Sequence, residues 1–236
     1  MVLRTLVLLA CVAAIGCGGS DPTSPEDPST PAPSPGPGSP PGATRTAVYT
    51  DSEFSDNDWD EVVESFGAGG SGGAGQLHFN GQAAAGYRQV TINVNSAGSG
   101  SQAQVAVFSI KRGIAYFPTT DGAILSITYS EDSINQSSGN GQYSAPAIRQ
   151  NGKLYTLVPG GKAFSTPEAA WTKHTLTGLT QNDFRTIASA ADRPDFSANG
   201  ARMEVGFMRL VVVQAGGSGG EVKGGIDNWQ LTLYRP

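Results

Sequence analysis

Five stretches of this chain alternate apolar and polar residues with a period of two, and that alternation restricts the fold more than any other feature. In YRQVTINVN, Val90, Ile92 and Val94 fall on one side and Gln89, Thr91 and Asn93 on the other. Successive strand side chains point to opposite faces, so this is the signature of a strand with one face on a core. The pattern recurs in QAQVAVFSI, AILSITYS (Leu125, Ile127, Tyr129), ARMEVGFMRL (Met203, Val205, Phe207) and DNWQLTLY (Trp229, Leu231, Leu233). Further strands are expected near 46–49, 60–66, 75–79, 153–158 and 171–177, which makes about ten. Between them GAGGSGGAG at 67–75, NSAGSGSQ at 95–102 and QAGGSGGEVKGG at 214–225 read as loops, without the strand-to-helix setting of a phosphate cradle. One short helix is expected at TQNDFRTIAS, where Thr180 caps, Asp183 lies three residues on, and Phe184 and Ile187 share a face. Together these elements specify an all-β sandwich of two antiparallel sheets.

The 236-residue chain is uneven along its length. Residues 1–16 carry Arg4 as their only charge, and the apolar run from Leu6 to Ile15 falls short of the roughly 20 residues a bilayer span needs, so the segment reads as a secretory signal. Both cysteines of the chain, Cys11 and Cys17, lie at this end. The remainder therefore has no thiol for a disulfide, a thiolate metal site or a nucleophile. Cys11 leaves with the signal. Ala14-Ile15-Gly16-Cys17 resembles the lipobox of bacterial lipoproteins, although Ala14 stands where that family prefers Leu. The resemblance implies that the Cys17 thiol is acylated, and Gly18, rather than Asp, matches the family's sorting pattern for the outer membrane. The expected location is the bacterial cell envelope, with the membrane as a partner through the lipid.

From Gly18 to Thr44 the chain has nine prolines and no periodicity able to build a core. Residues 17–44 read as the lipidated cysteine followed by a disordered linker. In extended polyproline form it reaches about 80 Å. Residues 45–236 are the expected domain. The net charge of −5 comes without a basic stripe, which argues against nucleic acid.

The domain resembles the jelly-roll sandwich of the concanavalin A-like lectin and glucanase superfamily, laminin G-like modules included. The similarity is carried by DSEFSDNDWDEV, YSAPAIRQNGKLYTL, WTKHTLTGLT and the closing GGIDNWQLTLY with Ile226-Asp227-Asn228-Trp229. Smaller galactose-binding-like jelly rolls are the alternative. The resemblance implies a fold and not an activity.

No catalytic residues are nominated. The Glu-x-Asp-x-Glu strand of the glucanases is missing, since Glu131 and Asp132 are adjacent and Glu204 stands alone. His78 and His174, without a domain cysteine, do not make a usual zinc set. Asp56, Asp58 and Asp60 open like a calcium loop, but Glu61 takes the glycine position and Gly67 the final glutamate position, so this is not an EF-hand. A looser structural calcium site is expected from Asp51 or Glu53 with Asp227, where jelly-roll modules bind calcium near their ends; no other cofactor is expected. For sugar binding, which uses exposed aromatic faces ringed by polar groups, the candidates are Tyr116, Phe117, Tyr143, Arg149 and Asn151. Trp229 is expected in the core and Trp59 over an end of the sandwich. The expected function is a non-catalytic, lipid-anchored surface module that binds polysaccharide or a cell-surface protein. The alternatives are a polysaccharide hydrolase or lyase with a non-standard carboxylate pair, and a purely structural envelope lipoprotein.

Overall fold

The computed structural model describes residues 39–78, 86–137 and 141–236. The signal segment, Cys17 and all of the linker up to residue 38 lie outside the described residues. The alternating segments pair into two antiparallel six-stranded sheets that form a jelly-roll sandwich. Sheet A runs β10 (Thr172–Leu179), β6 (Ser126–Asn135), β12 (Gly220–Arg235), β4 (Gly86–Val94), β3 (Gly70–His78), with β1 (Arg45–Asp51) beside the last half of β12. Sheet B runs β2 (Trp59–Gly67), β5 (Ala103–Lys111), β11 (Met203–Val213), β7 (Gln142–Gln150), β8 (Lys153–Thr156), with β9 (Phe164–Thr166) beside β7.

Alternation decides which side chains meet between the sheets. Val90, Ile92 and Val94 of β4 and Trp229, Leu231 and Leu233 of β12 are buried, against Val105, Val107 and Phe207 from sheet B. Trp59 stacks on Phe54 at 5.6 Å and meets Phe207 edge-on at 5.2 Å and Trp229 at 5.3 Å. It therefore joins the edge of sheet B to the centre of sheet A. A bulge between Asp227 and Gln230, with Asn228 at φ 48°, resets β12 so that Ile226 and Trp229 both face inward.

Two glycine-rich stretches expected as loops are strands instead. Gly70–His78 pairs with β4 along its whole length, and Gly220–Gly225 forms the first half of β12. Gly70, Gly72, Gly224 and Gly225 there serve close approach. A Cβ on Gly70 would lie 2.1 Å from the Asn93 carbonyl, and one on Gly72 2.6 Å from the Val107 side chain across the sandwich.

The strand β7 was also not among those expected, and it contains Pro146. It is accommodated where the neighbouring strand changes: β8 pairs as far as Ala147 and β9 from Ser144, so no strand lies beside Pro146 on that side. The helix expected after Thr180 is a single 3-10 turn, Gln181–Asp183, held by the reciprocal Thr180–Asp183 capping box. Phe184 leaves it extended and enters the core, while Ile187 lies against the outer face of sheet B. The one-turn α-helix α1 is elsewhere, at Pro118–Asp121.

Candidate functional site

The five residues expected to contact sugar do not form one site. Tyr116 is buried and its hydroxyl donates to the Gly122 carbonyl at 2.6 Å, a packing role. Asn151, at φ 53°, and Gly152, at φ 73°, make the tight turn joining β7 to β8, as Asn-Gly does in type I′ hairpins. Tyr143 and Arg149 lie on the outward side of β7, six positions apart. Arg149 is held by Glu204 at 2.5 Å and by Asp60 at 3.1 Å. Phe117 is exposed, with the Arg202 guanidinium 5.9 Å from its ring centroid.

The acidic opening segment is equally committed. Asp56 accepts from buried Arg88 at 3.0 Å and from the Gln76 N–H at 2.9 Å; Asp58 pairs with Lys111 at 3.1 Å and Asp60 with Arg112 at 2.5 Å. Glu61 also takes Arg88, and accepts the Ala74 N–H at 2.8 Å. These carboxylates thereby occupy N–H groups on the free edge of β3 and tie it to β2. Among the described residues no three acids or histidines are grouped to hold a metal. Of the expected calcium ligands, Asp51 accepts from Lys111 at 2.5 Å, from the Trp59 indole at 3.0 Å and from the Glu53 and Phe54 N–H groups at 2.8 Å. Asp227 sits close enough to Asp132 and Asp51 that burial first, and then their charges, raise its carboxyl above the ordinary range.

Burial opposes ionisation of Asp51, but its hydrogen bonds, Lys111 foremost, outweigh burial and hold the carboxyl below the ordinary range. Its contribution to stability is therefore complete above the unfolded-state value near ~4 and is lost as pH falls through the lower folded value. Asp51→Asn is expected to be less stable at neutral pH and to lose less stability between about pH 4 and pH 2 than the parent chain. Urea unfolding across that range measures both, and parallel curves would contradict the assignment.

The outward face of sheet A presents different chemistry. On it Tyr87 and Gln89 of β4 lie beside Gly225 of β12. Trp171, just before β10, crosses over Gly225 to meet the Tyr87 ring at 5.4 Å, edge to face. Any side chain at Gly225 would displace it, because a Cβ there would lie 2.8 Å from the Trp171 ring. Gln89 Nε2 donates to Gln136 Oε1 at 2.7 Å, and Gln136 Nε2 to the Tyr87 hydroxyl at 3.0 Å. Two aromatic rings and two amides are thus fixed together, all partly open to solvent. Gln89 also borders a groove of about 380 Å³, with Ser71, Thr91 and Asn93 as its polar lining and glycines of β3 as its floor. No charged residue lines it. The floor is open: a methyl on Gly73 would meet nothing nearer than Glu61 Oε2 at 3.9 Å, and on Gly75 nothing nearer than Asp56 Oδ1 at 4.0 Å.

Sequence reasoning overlooked this face. Its visible signal was the polar half of YRQVTINVN, which begins with an aromatic residue. Trp171 is more than 80 positions away, and its arrival over Gly225 depends on β10 adding to the sheet beyond β6. Glu131, the acid of β6 closest to a glucanase pattern, points inward and is fully buried.

No family model matches the chain, and no curated protein matches it. Among solved structures, it is similar to a family 11 carbohydrate-binding module from Clostridium thermocellum in complex with a β-1,3-1,4-mixed-linked tetrasaccharide, at 13% identity and a TM-score of 0.41 over 78% of this chain and 94% of that one. It is also similar to a carbohydrate-binding module described for specific mannan recognition, at 11% identity and a TM-score of 0.38 over 80% of this chain and 99% of that one.

Proposed function

We propose that the chain is a non-catalytic, carbohydrate-binding β-sandwich held on the bacterial envelope by a lipid on Cys17, with residues 18–44 as its spacer. The observation that carries the binding reading is the outward face of sheet A, where the Tyr87–Trp171 ring pair and the Gln89–Gln136 amides lie together and Gln89 borders an uncharged groove. Rings take the apolar face of a sugar, amides and hydroxyls take its hydroxyl groups, and the missing charge suits a neutral glycan. The carboxylates nearest the groove floor, Asp56 and Glu61, are engaged by Arg88 and by the Gln76 and Ala74 N–H groups, which favours binding over acid–base cleavage of a glycosidic bond.

Affinity electrophoresis against neutral polysaccharides tests this reading. Trp171→Ala is expected to weaken binding about tenfold, the equivalent of about 1.4 kcal/mol. Gly75→Leu, which fills the groove from an open floor position, is expected to abolish binding with little change in melting temperature. Retention of full affinity by both variants, or the absence of binding to any neutral glycan by the parent chain, would refute the assignment. Reducing ends released on incubation would instead identify a hydrolase. Membrane fractionation of the same chain with Cys17→Ser is expected to move it to the soluble fraction, and an unchanged membrane fraction would reject the anchor.

A further inference from the structure

The opposite side of the sandwich has a depression with a different character. On the outward face of sheet B, Gln104, Leu210 and Val212 line a groove of about 400 Å³ against Arg185 and Ile187. Its hydrogen-bonding groups are three amides in a row: Gln104 Nε2 donates to Gln102 Oε1 at 2.8 Å, and Gln102 Nε2 to Gln214 Oε1 at 2.7 Å. These bonds orient the amides and leave each with a free N–H, while the partly open Val212 and Ile187 supply an apolar surface beside them.

Arg185 adds charge. Its backbone N–H and carbonyl both bond to Thr156, at 3.0 and 2.9 Å, so the residue is fixed against β8. Its guanidinium has no hydrogen-bond or ion-pair partner among the described residues. It also borders a neighbouring depression of about 340 Å³ lined by Lys162, Asp183 and Arg193. The acids there are already neutralised, Asp183 by Lys162 at 2.9 Å and nearby Asp192 by Lys153 at 3.0 Å. Arg193 is turned toward the carbonyls of Ala190 and Asp192. Arg185 and Arg193 thus leave a local positive excess on a chain of net charge −5.

We propose that this groove binds an acidic saccharide, with a carboxylate on Arg185, ring hydroxyls on the Gln102, Gln104 and Gln214 amides, and a sugar face on Val212 and Ile187. A guanidinium pairs with a carboxylate through two parallel N–H bonds, which a neutral sugar does not offer. The proposal does not rest on the neutral-glycan reading of sheet A, since the two sites lie on opposite faces.

Calorimetric titration of the full chain with tetragalacturonate, a neutral galactose tetramer and inorganic phosphate tests it. Tetragalacturonate is expected to bind with an affinity that falls as salt rises. Arg185→Gln is expected to weaken that binding by about tenfold to a hundredfold, Arg185→Lys to restore part of it, and Gly75→Leu to leave it unchanged. Absence of uronate binding, or equal uronate affinity in Arg185→Gln, overturns the site. Equal affinity for phosphate, or for the neutral tetramer, overturns the assignment of an acidic sugar. Loss of uronate binding in Gly75→Leu would place the ligand on sheet A and overturn it as well.

Discussion

Arg209→Met is expected to lower the unfolding free energy by about 3–5 kcal/mol, because it strands a carboxylate in the middle of the sandwich. Arg209 of β11 and Glu131 of β6 are both fully buried and pair across the two sheets at 2.9 Å. Glu131 also accepts from Tyr129, Ser133 and Ser144, the last at 3.0 and 2.9 Å to its two oxygens. Burial and the neighbouring Glu131 charge push the Tyr129 phenol well above its ordinary value, so it stays protonated as a donor. Without Arg209 these hydroxyls remain, but the neutralising charge is gone. The pair is not ideally satisfied, since Arg209 Nε and Nη1 lack hydrogen-bond partners. The double variant Arg209→Met with Glu131→Met is therefore expected to recover most of the loss, because it removes two desolvated charges together. Urea unfolding of the four proteins forms the cycle, and additive losses would show that the ion pair is not the cause.

Trp59→Ala should be comparably damaging, at about 3–5 kcal/mol, for a different reason. The indole is 2% exposed and touches Phe54, Phe207 and Trp229. Its removal opens a cavity where sheet B meets the centre of sheet A. It also takes the Nε1 donor from Asp51 and the ring from beneath the Lys111 ammonium, 5.1 Å above it. For a domain of this size the loss corresponds to a fall in melting temperature of about 10 °C. Trp171→Ala, on the open face, is expected to change it by far less, and scanning calorimetry of the two variants separates a core role from a surface role. Equal shifts would contradict the division drawn between them.

That division shows how much of the fold could be read along the chain. Trp229 alternates with Leu231 and Leu233, and its place in the core followed from period alone. The Thr180–Asp183 capping box was legible as well, because its two members are local. The glycine strand β3 was not. Glycine has the same local meaning in a loop as in a strand, and only the approach of the neighbouring strand at Asn93 and of Val105 and Val107 from the other sheet makes it obligatory at positions 70 and 72. For β7, Pro146 finds its place only where the neighbouring strand changes from β8 to β9, a pairing that local sequence does not show.

The expected binding residues fared differently for a related reason. Tyr143 and Arg149 were expected in turns but lie on the same side of β7, and the environment of Arg149 comes from Asp60 and Glu204, on strands distant in sequence. The aromatic pair on sheet A joins Tyr87 and Trp171 through a glycine at position 225. Local pattern could show that Tyr87 and Gln89 share a face, but not what lies over it.

Period-two alternation is a property of neighbours in the chain, so residue order was sufficient to specify an all-β sandwich and many of the side chains inside it. Strand order is not local. Adding β10 beside β6 carries Trp171 toward Tyr87, and facing β6 with β11 joins Glu131 to Arg209. The binding faces and the buried ion pair depend on those long-range pairings, because their geometry exists only after the sheets have formed.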